Sequence, residues 1–276
     1  MTLVPAIFIT LAVTAVAVGA MLLVRRNAPE GSYFSDGDRA SGVFGVLATG
    51  FSVLLGFIVF LAFTSFDQSR TGGEREALVV GQQIENAQLF PAAAAPELTG
   101  ELICYGRSVI HGEWDRMRSG TQGDDVNPWG IELFRTLTTV EPETPVEQSA
   151  YDKWLEQTST REEARSDRIH GAVGVIPTPL WIVLFFAAGV IFVYMLFFAD
   201  SGERAVVQGF IAGSVTAVIT SLLLLLGILD NPFHEGIGGL EPTAMERTLG
   251  QFEEALSTLG VEVPIPCDEL GVPSAS

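Results

Sequence analysis

The chain has 276 residues, enough for a small helical bundle and one further modest domain, and a formal net charge of −18. A surface this acidic repels nucleic acid and anionic headgroups, and no basic, aromatic-rich stretch offsets it. Of all residues 48% are hydrophobic, and much of that content is gathered into four runs that hold no charged residue.

Those runs are Leu3–Val24, Gly42–Phe66, Leu180–Ala199 and Ala205–Leu229. Each is about the length a helix needs to cross a hydrocarbon core of ~30 Å. They predict an all-α membrane protein with four transmembrane helices in two hairpins and a helical extramembrane domain between spans two and three. The expected division is 1–66 for the first hairpin, 67–178 for the acidic extramembrane domain and 179–229 for the second hairpin. The acidic C-terminal tail, 230–276, is expected to pack on the extramembrane domain.

The first run has no positive residues before it and continues past Gly19 and Ala20, so it reads as a retained helix rather than a signal peptide. Arg25 and Arg26 follow at once. The short connections Arg25–Ser41 and Ala199–Arg204 carry four arginines, whereas the N-terminus and the tail carry one, Arg247. Positive charge collects on the cytoplasmic side. Both termini and the central domain are therefore expected to be extracytoplasmic in a multi-pass cell-membrane protein.

The second run interleaves phenylalanines with Gly45, Gly50 and Gly56. Phe51, Phe57, Phe60 and Phe63 are the pore-lining candidates, because apolar rings around an oligomer axis can gate by dewetting. The same rings could equally pack on neighbours or face lipid. No strong breaker follows until Pro91, so the span is expected to continue as one long helix.

In the central domain, Leu98, Leu102, Tyr105 and Val109 recur at helical spacing. A Gly-, Asp- and Asn-rich loop is expected at 120–128, a short helix over Trp129–Thr139 and a long one over Val146–Gly171. Arg161, Arg165 and Arg168 share one face of that long helix. They are candidates for an anion vestibule, or for ion pairs with Glu162, Glu163, Asp167, Asp67 or Asp230. Cys104 and Cys267, the two cysteines of the chain, fall on the same side of the membrane. A disulfide between them and two buried thiols are both compatible with the sequence.

Pro177 and Trp181 mark the start of the third span, with Trp181 suited to the interface. Gly209 and Gly213 give the fourth span a small-residue face for helix packing, within a protomer or between protomers. Asp230 and Pro232 end that span as structural boundary residues. The tail offers an amphipathic helix from Glu241-Pro242 to about Leu259.

No ionisable residue lies within the four runs, which argues against proton-coupled transport. His111, His170 and His234 are scattered and form no metal spacing. No phosphate-binding glycine loop, dinucleotide fingerprint or nucleophile elbow is present. The chain is expected to be no enzyme and to need no cofactor or metal.

Four stretches resemble a known family. They are Phe66-Asp67 running on to Glu74-Arg75-Glu76-Ala77, the segment Thr160–Ile169, the segment Ile176–Trp181, and Leu229-Asp230-Asn231-Pro232-Phe233 with Pro242 and Met245 beyond. Together the chain from about Ser41 to Met245 resembles a bacterial four-span membrane family labelled bestrophin-like, a domain of unknown function. The resemblance implies a pentameric anion channel lined by the second span. It also implies termini and a central region in the cytoplasm, the reverse of the orientation the arginines predict.

The sequence thus leads to a homo-oligomeric, channel-like protein in the lipid bilayer, passing inorganic ions, with anions the default, along the second span. The alternative is a non-conducting envelope protein whose helical domain senses a ligand or binds a partner. Nucleic acid is not an expected partner of either.

Overall fold

The computed structural model describes residues 3–121, 127–260 and 262–274. Of the loop expected at 120–128, residues 122–126 lie outside the described residues. The regular elements of the described chain are helices, joined by loops, apart from an isolated antiparallel bridge between Cys267 and Pro273. It divides into two units, Met1–Thr64 with Gly174–Asp230 and His234–Gly238, and Ser65–Val173 with Asn231–Phe233 and Gly239–Ser276.

The first unit holds α1 (Leu3–Arg26), the N-terminal half of α2 (Gly37–Ala87), α7 (Thr178–Phe197) and α8 (Ala205–Leu229). All four helices are long and apolar enough to cross a membrane. Within this unit α1 packs along α8. The cause is local. A Cβ added at Gly213 would lie 3.1 Å from Val18 and one at Gly209 would lie 3.4 Å from it, so these glycines let the two backbones close up. The pairing is antiparallel, because Arg25 at the end of α1 donates to the Ser201 carbonyl at 3.0 Å, just before α8 begins.

Phe51, Leu55, Ile58 and Ala62 of α2 are buried in one apolar cluster with Leu184, Ile191 and Met195 of α7 and Leu226 of α8. At one end Phe34 stacks on Tyr194 at 5.6 Å and lies 4.9 Å from Phe198. The outer faces stay apolar and exposed, as at Val16, Phe186 and Phe210, which suits lipid rather than water.

The second unit holds the rest of α2, α3 (Ala94–Arg107), a π-helical turn (Ser108–Glu113), α4 (Trp114–Arg118), α5 (Pro128–Thr138), α6 (Pro145–His170) and α9 (Thr243–Leu259). At 51 residues, α2 is ~77 Å long, far more than a bilayer core needs. Its sequence has no proline, and Gly72 and Gly73 do not break it. They serve packing instead, since a Cβ at Gly72 would strike the backbone of Arg168 and Ala164 on α6.

Local signals start the other helices. The Asn127 side chain accepts from Trp129 N–H at α5, and Thr144 with Glu147 forms a reciprocal capping box at α6. Backbone N–H groups of Glu143 and Thr144 hold the Glu147 carboxyl below its usual range. The core gathers Val80, Ile84, Leu98, Leu102, Tyr105, Trp114, Trp154 and Phe233. The tail crosses α3, where Gly100 leaves room only for the Pro264 carbonyl, and Gly271, at φ +78°, abuts Ser108.

Candidate functional site

The second span separates its phenylalanines onto two faces. Phe57, Phe60 and Phe63 are 67%, 64% and 52% exposed, whereas Phe51 is 6% exposed and belongs to the cluster with α7 and α8. A helix turns 100° per residue, so Phe51 stands ~180° around from Phe60, the middle of the other three. Phe51 therefore parts from the other three and serves as core. Phe57, Phe60 and Phe63 form an outward apolar stripe, joined by Val46 and Val53.

In the second unit two of the three arginines of α6, Arg165 and Arg168, meet glutamates not singled out among the expected partners, Glu76 and Glu113. Arg168, fully buried, donates from Nε and Nη2 to Glu76 and from Nη2 to Glu113 Oε2 at 2.6 Å. Its guanidinium sits 5.5 Å from the centre of the Trp114 ring. Arg165 reaches Glu113 Oε2 at 3.2 Å. Arg161 donates to Gln83 at 3.0 Å and lies 4.7 Å over the Tyr105 ring, while Tyr105 donates its own hydroxyl to Glu76 at 2.6 Å. Asn127 adds a bond to Glu113 at 2.9 Å.

Gly72 and Gly73 bring α6 against α2 one turn before Glu76. The π-helical turn ends on Glu113, carrying that carboxylate into the same interior. Burial alone would raise the Glu113 pKa, but Arg168 and Arg165 outweigh it and hold the carboxyl below its usual range. Burial likewise opposes the Arg168 charge, and Glu76 with Glu113 overcomes it. Burial, reinforced by Glu76, pushes the Tyr105 phenol well above its usual value.

The vestibule expected of these arginines is thus not how they sit. Arg161 and Arg168 are 1% and 0% exposed, and the network holds their charge among carboxylates, an amide and aromatic rings rather than presenting it to an open path. Of the acids foreseen as partners, Glu162 lies 3.2 Å from Arg161. Asp167 accepts from Gln68, and Glu163 pairs loosely with Arg75. The signal available in sequence was a carboxylate on an otherwise apolar helix face, Glu76 beside Ala77, Val79 and Val80. A cavity of about 380 Å³ borders the network at Glu76 and Trp114.

The boundary residues do structural work. Asp230 accepts the Ile176 N–H at 2.9 Å and lies 3.4 Å from Trp181 Nε1, tying the exit of α8 to the approach to α7. Pro177 is the N-cap of α7, and the Pro232 carbonyl accepts Leu240 N–H at 2.7 Å. Cys104 and Cys267 are joined by a disulfide, with Cα atoms 5.8 Å apart. Among the described residues no group of three His, Cys, Asp or Glu side chains could hold a metal ion.

The family model of the Bestrophin-like domain matches residues 11–245. None of the curated proteins compared with the chain matches it. Crystal structures share its fold at low identity. A structure described only as a membrane protein superposes with a TM-score of 0.69 at 13% identity, covering 91% of this chain and 98% of that one. A point variant of a bacterial bestrophin homologue from Klebsiella pneumoniae gives 0.66 at 13% identity, covering 92% and 98%. A second structure of that homologue gives 0.62 at 13% identity, covering 95% and 100%.

Proposed function

The chain belongs to the bestrophin-like domain family, and on that premise we propose that it is a homo-oligomeric channel passing anions along a path lined by its second span. The observation that carries this reading is the outward stripe of Phe57, Phe60 and Phe63 on α2. Within one copy these rings have no covering partner, while the opposite face of the same helix is buried. Copies arranged around an axis would bring the stripe together as a hydrophobic neck, which needs no charge to gate. The neck, rather than the arginines of α6, is the gate of this reading.

We place the central domain and both termini on the extracytoplasmic face. The arginine distribution supports that orientation, and so does a disulfide, which persists in oxidising compartments.

Chloride efflux from liposomes containing the purified protein tests the reading. Efflux that depends on protein and changes in Phe57→Ala supports a path through the second span. No efflux across a range of pH and calcium would shift the reading to a non-conducting envelope protein whose helical domain binds a ligand.

A further inference from the structure

Glu101 of α3 is a buried acid with no cation of its own. The residue is 5% exposed. Its Oε1 accepts the Thr136 hydroxyl at 2.7 Å, while its Oε2 is closed to water and has no partner among the described residues. Arg135 of α5 is engaged elsewhere, with its Nη1 2.9 Å from each carboxylate oxygen of Glu132. Glu76 and Glu113, the buried acids of the network, both meet Arg168 instead. An ionised Glu101 would be a buried charge without a counter-ion, which a packed interior tolerates poorly.

The walls around Glu101 have no donor to spare. It lies beside a cavity of about 710 Å³ between α3, α5 and the tail. Five of the residues there, Pro96, Pro128, Pro264, Pro266 and Pro273, are prolines, which offer a carbonyl but no N–H. Trp129 gives its indole N–H to the Gly271 carbonyl at 2.7 Å and its backbone N–H to Asn127 at 3.1 Å. Ser274 N–H goes to the Pro266 carbonyl at 3.0 Å. The other acids acting on Glu101 are Glu97, one turn earlier on α3, and Glu132 on α5. The tail adds Pro264, Pro266, Pro273 and Ser274, none of which titrates, and on α9 Glu253 is paired with Arg107. A carboxylate formed here gains partners only if the packing opens to water.

The same packing holds the tail. The Pro264 carbonyl sits against Gly100, the residue before Glu101, and the Gly271 carbonyl takes the Trp129 indole N–H. Cys267 is bonded to Cys104, three residues along α3 from Glu101. The first two contacts can part, whereas the disulfide cannot.

We propose that the seat of the tail on α3 and α5 is a pH-operated latch, closed while Glu101 is protonated and loosened when it ionises, with the Cys104–Cys267 disulfide keeping the tail attached in both states. The latch lies within the second unit and does not depend on conduction. Burial, with Glu97 and Glu132 adding to it against Thr136 and Arg135, raises the Glu101 pKa to about 7. A carboxyl reached by water returns to its ordinary, lower value. The closed form therefore binds the proton more tightly than the loosened one, and its advantage is lost as pH rises through 7.

Hydrogen–deuterium exchange on the full-length protein in detergent, at pH 5.5 and pH 8, with Glu101→Gln alongside, tests this. Glutamine keeps an oxygen for Thr136 and cannot ionise, and comparing the two proteins at one pH cancels the chemical dependence of exchange on pH. At pH 8 the amides of the tail and of α5 are expected to exchange about tenfold or more faster in the wild type than in Glu101→Gln, and at pH 5.5 at equal rates. Amides of α6 should exchange alike in both. Equal exchange of the two proteins at pH 8 would overturn the proposal. So would a difference spread evenly over α6, which marks general destabilisation rather than a latch. If Glu101→Gln fails to fold, the wild type decides alone: tail protection, corrected for the intrinsic rate, that does not fall between pH 5.5 and pH 8 would overturn it.

Discussion

Arg168 donates to Glu113 Oε2 at 2.6 Å, joining residues 55 positions apart in the sequence. The same guanidinium holds Glu76 on α2, so one fully buried cation bridges two carboxylates from different elements, with Arg165 supplying the second positive charge at Glu113. The pair of bonds needs a planar fork with several donors, which Arg supplies and Lys does not.

Removing that cation leaves Glu76 with the Tyr105 hydroxyl and no cation, and Glu113 with Arg165 and Asn127. Arg168→Leu should cost about 3–5 kcal/mol, since it leaves uncompensated buried charge. Arg168→Lys should recover part of the loss. Arg70→Leu, which breaks an exposed pair with Glu74, should cost about 0.5 kcal/mol or less. Thermal unfolding in detergent ranks the three variants. Equal midpoints for Arg168→Leu and Arg70→Leu would mean that the network does not support the fold.

Gly72 and Gly73 should respond differently to alanine. A methyl at Gly72 meets the α6 backbone, which cannot yield without moving the helix, whereas one at Gly73 lies 3.4 Å from the Trp114 ring. Gly72→Ala is expected to destabilise by more than ~2 kcal/mol and Gly73→Ala to be nearly neutral, with helix propensity offsetting the tight contact. A comparison of the two melting midpoints checks the close approach of α2 and α6.

The four spans were legible because hydropathy alone defines them, and the long α2 followed from the lack of a breaker before Pro91. Which helices pair was not legible. The choice of α8 as the partner of α1 rests on where Gly209 and Gly213 face, and any two spans offer some small residues. The arginine face of α6 was visible at its helical spacing, but its carboxylate partners were not, because Glu76 and Glu113 reach it only through the glycine crossing and the π-helical turn. Phe51 was grouped with Phe57, Phe60 and Phe63 by residue type, and only packing separates it from them. Glu101 carried no sequence signal, since its burial depends on a tail segment more than 160 residues away.

Stability should depend on pH through Glu101. Its folded pKa of about 7 exceeds the ordinary carboxylate value, so the folded state binds the proton more tightly than the unfolded chain. The contribution is fully present below the ordinary range and is lost as pH rises through 7. Glu101→Gln should therefore stabilise the fold at pH 8 by on the order of 2 kcal/mol, read as a higher melting midpoint, and change it little at pH 5. An equal shift at both pH values would indicate that the carboxyl does not titrate in this window.

Reduction of Cys104–Cys267 should free the tail from α3. Cys104→Ser is expected to cost about 2–5 kcal/mol and to expose the segment around Pro264 to proteases. In intact cells an impermeant maleimide should label neither cysteine until a reductant is added, and both thereafter. Labelling that requires permeabilised cells would place this domain in the cytoplasm.

The proposed path for ions runs along the face of α2 that bears Phe57, Phe60 and Phe63. Because the native cysteines are disulfide-bonded, a new thiol on that face is the one reactive group. Chloride flux through Phe60→Cys in liposomes, measured before and after a charged, water-soluble methanethiosulfonate reagent, tests the claim most directly. The reagent is expected to change flux in Phe60→Cys and to leave the unmodified protein and Phe51→Cys unaffected. Flux that persists unchanged after verified modification of Phe57→Cys, Phe60→Cys and Phe63→Cys would contradict it.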